Sequence, residues 1–239
     1  MRAPVIHPLH VGSITRQKMV FGYFLEPGKV IDAPLISWYI EGPDKRILVD
    51  TGGGDPSKAH PRWTPYKRQA DQSIENALKK VGTRCEDIDI VVVTHLHWDH
   101  CAGNGLFPKA KFIIQKEELR SACSPFPIVK HFYIKNIIED IKYTIISGDK
   151  KIADGVTAIL TPGHTYGLQG ILVEAQKRRY FIAGDTVCLF ENLESCPPLI
   201  SGIYVDLEKY YKSLQKIAKL SAFVLPSHDF KVLERKVYS

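Results

Sequence analysis

The stretch Thr94-His95-Leu96-His97-Trp98-Asp99-His100 constrains this chain more than any other. It sets three imidazoles and a carboxylate directly after the apolar run Ile90-Val91-Val92-Val93 and before the glycine-bearing Cys101-Ala102-Gly103-Asn104-Gly105. Packing has little use for four such side chains at the mouth of a buried strand, because each polar group removed from water needs a partner. Imidazole and carboxylate are, by contrast, ordinary ligands of divalent metals. The cluster therefore predicts a metal site, and with it metal-assisted hydrolysis.

Three further segments repeat the topography, a ligand-type side chain just beyond a short apolar strand. They are His164 in Thr161-Pro162-Gly163-His164-Thr165, Asp185 in Ala183-Gly184-Asp185-Thr186, and His228 in Ser227-His228-Asp229. Alone, His164 or His228 reads as a hydrogen-bonded loop residue and Asp185 as a turn residue. Beside the cluster they become the partners it needs. Five imidazoles and two carboxylates exceed what one tetrahedral zinc uses. Two divalent ions divide the set: His95, His97 and His164 on one, Asp99, His100 and His228 on the other, with Asp185 bridging. Zinc is the first choice, with iron, manganese and cobalt as alternatives. A water shared by the ions has its pKa lowered from 15.7 toward about 7, so a bridging hydroxide is available at neutral pH.

The remaining pattern supplies a frame. Leu35 to Glu41, the turn Gly42-Pro43-Asp44 and Arg46 to Val49 predict a hairpin that delivers Asp50-Thr51-Gly52-Gly53-Gly54 to a strand end. Residues 1–32 read as irregular strands and turns. Residues 55–70 interleave Pro56, Pro61 and Pro65 with His60, Trp63 and Tyr66, a candidate lid. Asp71 is placed to cap a helix with Ile74, Ala77, Leu78 and Val81 on one face, and Gly82 to stop it. Strands follow at Ile88 to Val93 and Lys111 to Gln115, then helices at Lys116 to Ala122 and within Ile128 to Ile141. The runs Tyr143 to Ile146, Val156 to Leu160, Gly170 to Glu174 and Tyr180 to Ala183 predict mostly antiparallel sheet. An amphipathic helix over Asp206 to Leu220 and a strand from Ala222 to Leu225 close the chain. The helix is read with Leu207, Tyr211, Leu214 and Ala218 opposite Lys209, Lys212, Lys216 and Lys219. Strand, helix, strand succession gives an α/β (α+β) class with layered sheets.

Length and charge narrow the function. With 239 residues at 44% hydrophobic and no visible linker, the chain is expected to form a single domain over 1–239. No run approaches the roughly eighteen apolar residues of a membrane span, and the start lacks a secretion signal, so a cytoplasmic protein without membrane contact is expected. Five scattered cysteines indicate reduced thiols rather than a disulfide framework. The net charge of +6 is dispersed, which argues against a nucleic-acid partner. Oligomeric state is left open.

In this order and spacing, His95-x-His97-x-Asp99-His100, His164, Asp185 and His228 resemble the metallo-β-lactamase fold hydrolases. So do Leu48-Val49-Asp50-Thr51-Gly52 and Thr161-Pro162-Gly163-His164. The resemblance spans nearly the whole chain and implies a four-layer αββα sandwich with metals at one edge between two sheets. It implies that Asp50 stands beside the ligands without being one. Within the superfamily the likeness is to the N-acyl homoserine lactonases, dinuclear zinc enzymes that open lactone rings. It is carried also by Ser37-Trp38-Tyr39-Ile40, Gly103-Asn104-Gly105, Gly148-Asp149 and His228-Asp229. The substrate implied is a small-molecule ester or lactone, and the implied activity quorum quenching. Asp185 and Asp99 are the catalytic candidates, Asp99 as the group passing a proton to the leaving alkoxide. One departure stands out: Cys188 occupies the place, three residues after the bridging aspartate, where such lactonases carry a tyrosine. Tyr133, Tyr166 and Tyr204 are candidates to replace it, and Trp63, Tyr66, Phe126 and Phe132 to line an acyl pocket.

The alternative is a thioesterase of the glyoxalase II type, with a comparable ligand series. It ranks second because eleven residues follow His228 where those enzymes carry a helical region. A zinc lactamase would place cysteine at Asp185. A diiron oxygen or nitric-oxide reductase would place a carboxylate at His97 and add a flavin domain. A metal-binding sensor without turnover is the non-enzymatic rival.

Overall fold

The structure is a computed structural model that describes residues 3–63 and 65–239. Its first sheet begins with a long antiparallel pair, β1 (Val5–Gln17) and β2 (Val30–Glu41). β2 turns into β3 (Arg46–Val49) with Trp38 opposite Val49, the predicted hairpin. β4 (Tyr66–Lys67) pairs with the far side of β1, and α1 (Ile74–Lys80) follows it. β5 (Ile90–Val92), α2 (Trp98–Cys101), β6 (Lys111–Gln115), α3 (Lys116–Cys123), α4 (Lys135–Glu139) and β7 (Tyr143–Ile146) complete this half. The strand order is β4-β1-β2-β3-β5-β6-β7.

The second sheet holds β8 (Lys150–Ala153), β9 (Val156–Leu160), β10 (Gln169–Glu174), β11 (Arg179–Ile182) and, after α5 (Glu191–Glu194) and α6 (Leu207–Ala218), β12 (Phe223–Leu225). Its order is β12-β11-β10-β9-β8, antiparallel except for the β11–β12 pair.

Side-chain alternation builds the layers. On β2, Ile36, Trp38 and Ile40 face the second sheet and share a buried cluster with Ile171, Val173 and Ile182. Leu35 and Tyr39, one residue out of phase, join a cluster with Ile74, Ala77 and Leu78 of α1. A strand buried on both faces in this way reads as a continuous apolar run. On the opposite side, Tyr210, Leu214 and Ile217 of α6 cover Ile159, Leu172 and Phe181. The result is the expected αββα sandwich. No helix among the described residues is long and apolar enough to cross a membrane.

Four local expectations are corrected. β1 is one long strand, not irregular pieces; Pro8 stays in register opposite Trp38, and Gly12 falls in the register shift between His10 and Ser13. Ser73, not Asp71, caps α1 through its hydroxyl, while Asp71 pairs with Lys80. β7 lies parallel to β6 in the first sheet, not in an antiparallel run. The buried stripe of α6 is Tyr210–Leu214–Ile217, a tertiary choice that leaves Leu207 and Tyr211 exposed.

Candidate metal centre

The centre forms where the ends of β5, β9, β11 and β12 meet. Past β5 the chain bends at Thr94 and again at His97, and the loop between places His95 and His97, two apart, in one group. At His97 it enters α2, and a helical turn redirects Asp99 and His100 toward a second. The turn is held by Thr51 N–H to His100 O at 2.7 Å and Ala102 N–H to Gly52 O at 3.0 Å. His164 follows Gly163, which adopts φ +139° and lies where a Cβ would come within 2.3 Å of the Tyr210 backbone. Glycine is required there for α6 to close on the loop.

All seven predicted residues come together. His95, His97 and His164 form one group of ligand atoms within 4.8 Å of one another, and Asp99, His100 and His228 another. Asp185 stands between them. Its Oδ2 lies 3.4 Å from His164 Nε2 and 4.0 Å from His95 Nε2, while its Oδ1 lies 3.2 Å from His100 Nε2 and 3.1 Å from His228 Nε2. One carboxylate thus presents a different oxygen to each group. Asp99 Oδ2 sits 3.9 Å from His100 Nε2 and 4.0 Å from His228 Nε2.

Four imidazoles are aimed by their second nitrogen. His95 Nδ1 meets Thr94 Oγ1 at 3.1 Å, His100 Nδ1 meets Asp50 Oδ2 at 2.8 Å, His164 Nδ1 meets Ile203 O at 2.8 Å, and His228 Nδ1 meets Pro34 O at 2.9 Å. Each contact turns Nε2 inward, the outer support typical of metal-binding histidines. His97 is reversed, with Nδ1 inward at 3.1 Å from His164 Nε2. Asp50 is buried and accepts from both the Thr94 amide and its hydroxyl, at 2.7 Å each, so it braces two groups at once. Ser227 Oγ donates to Asp185 Oδ1 at 2.8 Å.

The donor set fits divalent cations. His95 Nε2 is buried without a hydrogen-bond partner, a cost that a cation beside the ring would remove. Burial, reinforced by neighbouring imidazoles, pushes His95 and His97 well below the ordinary histidine range, leaving them neutral with free lone pairs. Burial opposes charge on His100 too, but Asp185, Asp99 and Asp50 overcome it and raise its pKa; Asp185 and Asp99 act similarly on His228. That negative field would hold a cation in place of those protons.

The lid and pocket expectations divide. Trp63 and Phe132 line the cleft over the centre, and Trp63 stacks on Trp98 with centroids 4.6 Å apart and planes 7° from parallel. Tyr66 instead supports Trp98 from its edge and donates to Gly54 O, and Phe126 is exposed. None of Tyr133, Tyr166 and Tyr204 lines the cleft; Tyr133 packs its ring on His97, and Tyr204 meets Tyr23. Cys188 does line it, buried, its Sγ 3.8 Å from Asp185 O.

Sequence reasoning missed Glu118. From α3 this fully buried carboxylate accepts from Leu96 N–H at 2.9 Å, Thr165 Oγ at 2.6 Å and Gly167 N–H at 3.1 Å. It ties the loop carrying His95 and His97 to the loop carrying His164. Its local context, Lys116-Glu117-Glu118, reads as a solvated helix start and carries no signal of this role.

The family model described as Metallo-beta-lactamase superfamily matches residues 36–228, the span from β2 to the last histidine of the centre. The chain belongs to the metallo-beta-lactamase superfamily. Within that superfamily it is 33% identical over 207 residues to an N-acyl homoserine lactonase of Bacillus sp, covering 82% of this chain and 80% of the relative. It is 31% identical to the N-acyl homoserine lactonase AiiA of Bacillus thuringiensis subsp. kurstaki, covering 73% and 72%. Among solved metallo-beta-lactamase structures, an N-acyl homoserine lactone hydrolase with the product N-hexanoyl-L-homoserine bound at its catalytic metal center superposes with a TM-score of 0.84. That pair shares 25% identity, with 98% of this chain and 96% of that one covered.

Proposed function

We propose that this chain is a dinuclear metal-dependent lactonase that opens N-acyl homoserine lactones or close relatives. The observation that carries the reading is Asp185, whose two oxygens face two separate imidazole groups in a chain similar to lactonases across most of its length. His95, His97 and His164 would hold one ion, Asp99, His100 and His228 the other, and Asp185 both, with zinc the first choice because nitrogen and oxygen ligands predominate. When bound, two such ions supply Lewis-acid polarisation of the ester carbonyl and acidify water toward a pKa of about 7.

The chain's residues do the rest. Asp99 borders the cleft, positioned to carry a proton to the ring oxygen as it leaves, which in a lactone stays tethered to the product. Trp63 and Phe132 wall the cleft and limit water, and Phe21 packs 5.4 Å from His228 between ring centroids. The test is a pH-indicator assay of metal-reconstituted protein on N-acyl homoserine lactones of several chain lengths, with glutathione thioesters and phosphodiesters alongside. Ring opening is expected; thioester hydrolysis with no lactone turnover would overturn the assignment.

Cys188 is not a nucleophile in this scheme. Burial, with Asp185 close by, pushes its thiol well above the ordinary range, so it stays protonated. Cys188→Ala should change kcat/KM by less than about fivefold and cost roughly 1 kcal/mol in stability, as for a small buried side chain. Steady-state kinetics and thermal unfolding check both; a loss far beyond this on lactones would give the thiol a part in binding.

A further inference from the structure

Beside the metal cleft, and sharing Arg62 and Trp63 with it, lies a groove of about 570 Å³, within the range of small-ligand sites. Lys58, Arg62, Lys130 and Lys135 line it together with His60 and His131, and no Asp or Glu does. Lys135 is partly offset by Glu139 at 3.8 Å, and the field of Lys58 reaches Asp55. Among the described residues no ion pair involves Arg62 or Lys130, both exposed. Burial and the charge of Arg62 lower the His131 pKa, which favours the neutral imidazole there.

The groove is a built feature. Trp63 Nε1 donates to His131 O at 2.7 Å, joining its two walls, and Arg16 Nη2 donates to Trp63 O at 2.5 Å, anchoring one wall to β1. Trp63 and Ile134 add apolar surface to the same lining. An apolar tail gains from that surface and nothing from the cations, whereas a tail ending in an anion gains from both, with Arg62 able to engage a carboxylate through two parallel hydrogen bonds.

Building on the lactonase reading, we infer that this groove holds the acyl tail and selects lactones whose acyl group ends in a carboxylate. On metal-reconstituted protein, kcat/KM for N-adipoyl-L-homoserine lactone should exceed that for N-hexanoyl-L-homoserine lactone by about tenfold, the yield of one charge-assisted contact. The preference should shrink with added salt. Arg62→Gln with Lys130→Gln, both at exposed positions, should bring the ratio near one through KM rather than kcat.

Calorimetric binding of the two ring-opened acids supplies a readout independent of turnover, because they differ only at the tail. N-adipoyl-L-homoserine should bind about tenfold tighter than N-hexanoyl-L-homoserine, and the double variant should lose that difference. Equal binding of the two acids, or a preference that survives in the double variant, overturns the groove assignment even if both lactones are opened. If neither lactone is opened but the adipoyl acid still binds preferentially, the groove stands and the lactonase reading falls.

Discussion

Asp185→Asn should lose about a thousandfold in kcat/KM, the rate equivalent of roughly 4 kcal/mol, and hold nearer one metal ion per chain than two. The reason is geometric. Both oxygens of the carboxylate are committed, Oδ1 to His100, His228 and the Ser227 hydroxyl, Oδ2 to His95 and His164. An amide keeps only one oxygen, and the Ser227 hydroxyl favours keeping it on the His100 side. Its NH2 then faces His95 and His164, where it repels a cation, so the ion among His95, His97 and His164 is the one weakened. Elemental analysis of reconstituted protein, with lactone kinetics and a circular dichroism spectrum to confirm folding, measures this. Two ions per chain with full activity would remove the bridging role.

Glu118→Ala acts on stability rather than chemistry. Burial raises the Glu118 pKa, while Thr165, Leu96 and Gly167 as donors pull it down. Removing the carboxylate leaves three donors on two ligand-bearing loops buried and unpaired. Such losses cost roughly 3–5 kcal/mol, or about 10 °C in Tm for a chain of this size. Glu118→Gln should fall between, since it keeps one acceptor but turns an NH2 toward a donor. Thermal unfolding of both variants decides it; a Tm within about 2 °C of the parent for Glu118→Ala would show that the loops hold their positions without the clamp.

The gathering of these seven side chains was legible because metal chemistry limits the choice of side chain and strand ends fix where it is presented. His95 and His97 fall in one group from the loop after β5, and the helical turn at Trp98 presents Asp99 and His100 to the second group. The strand ends that carry His164, Asp185 and His228 were legible for the same reason, as polar residues that apolar strands do not tolerate inside. Glu118 was illegible because its partners lie 22, 47 and 49 residues away, and its neighbours give it the look of a surface charge. Tyr211 misled in the opposite sense: an apolar ring at helical spacing that the packing of α6 leaves in solvent.

Local sequence, then, determined the chemistry of this protein. It set which side chains could bind metal, the strands and helices that carry them, and, through Asp50 and the glycine turns, the loops that present them. Only the tertiary structure decided the rest: which oxygen of Asp185 faces which group, that Trp63 stacks on Trp98 and closes a cationic groove against His131, and which aromatic residues face the cleft. Side-chain type and backbone period are properties of neighbours in the chain, whereas burial, charge field and shape are sums over residues that only folding brings together.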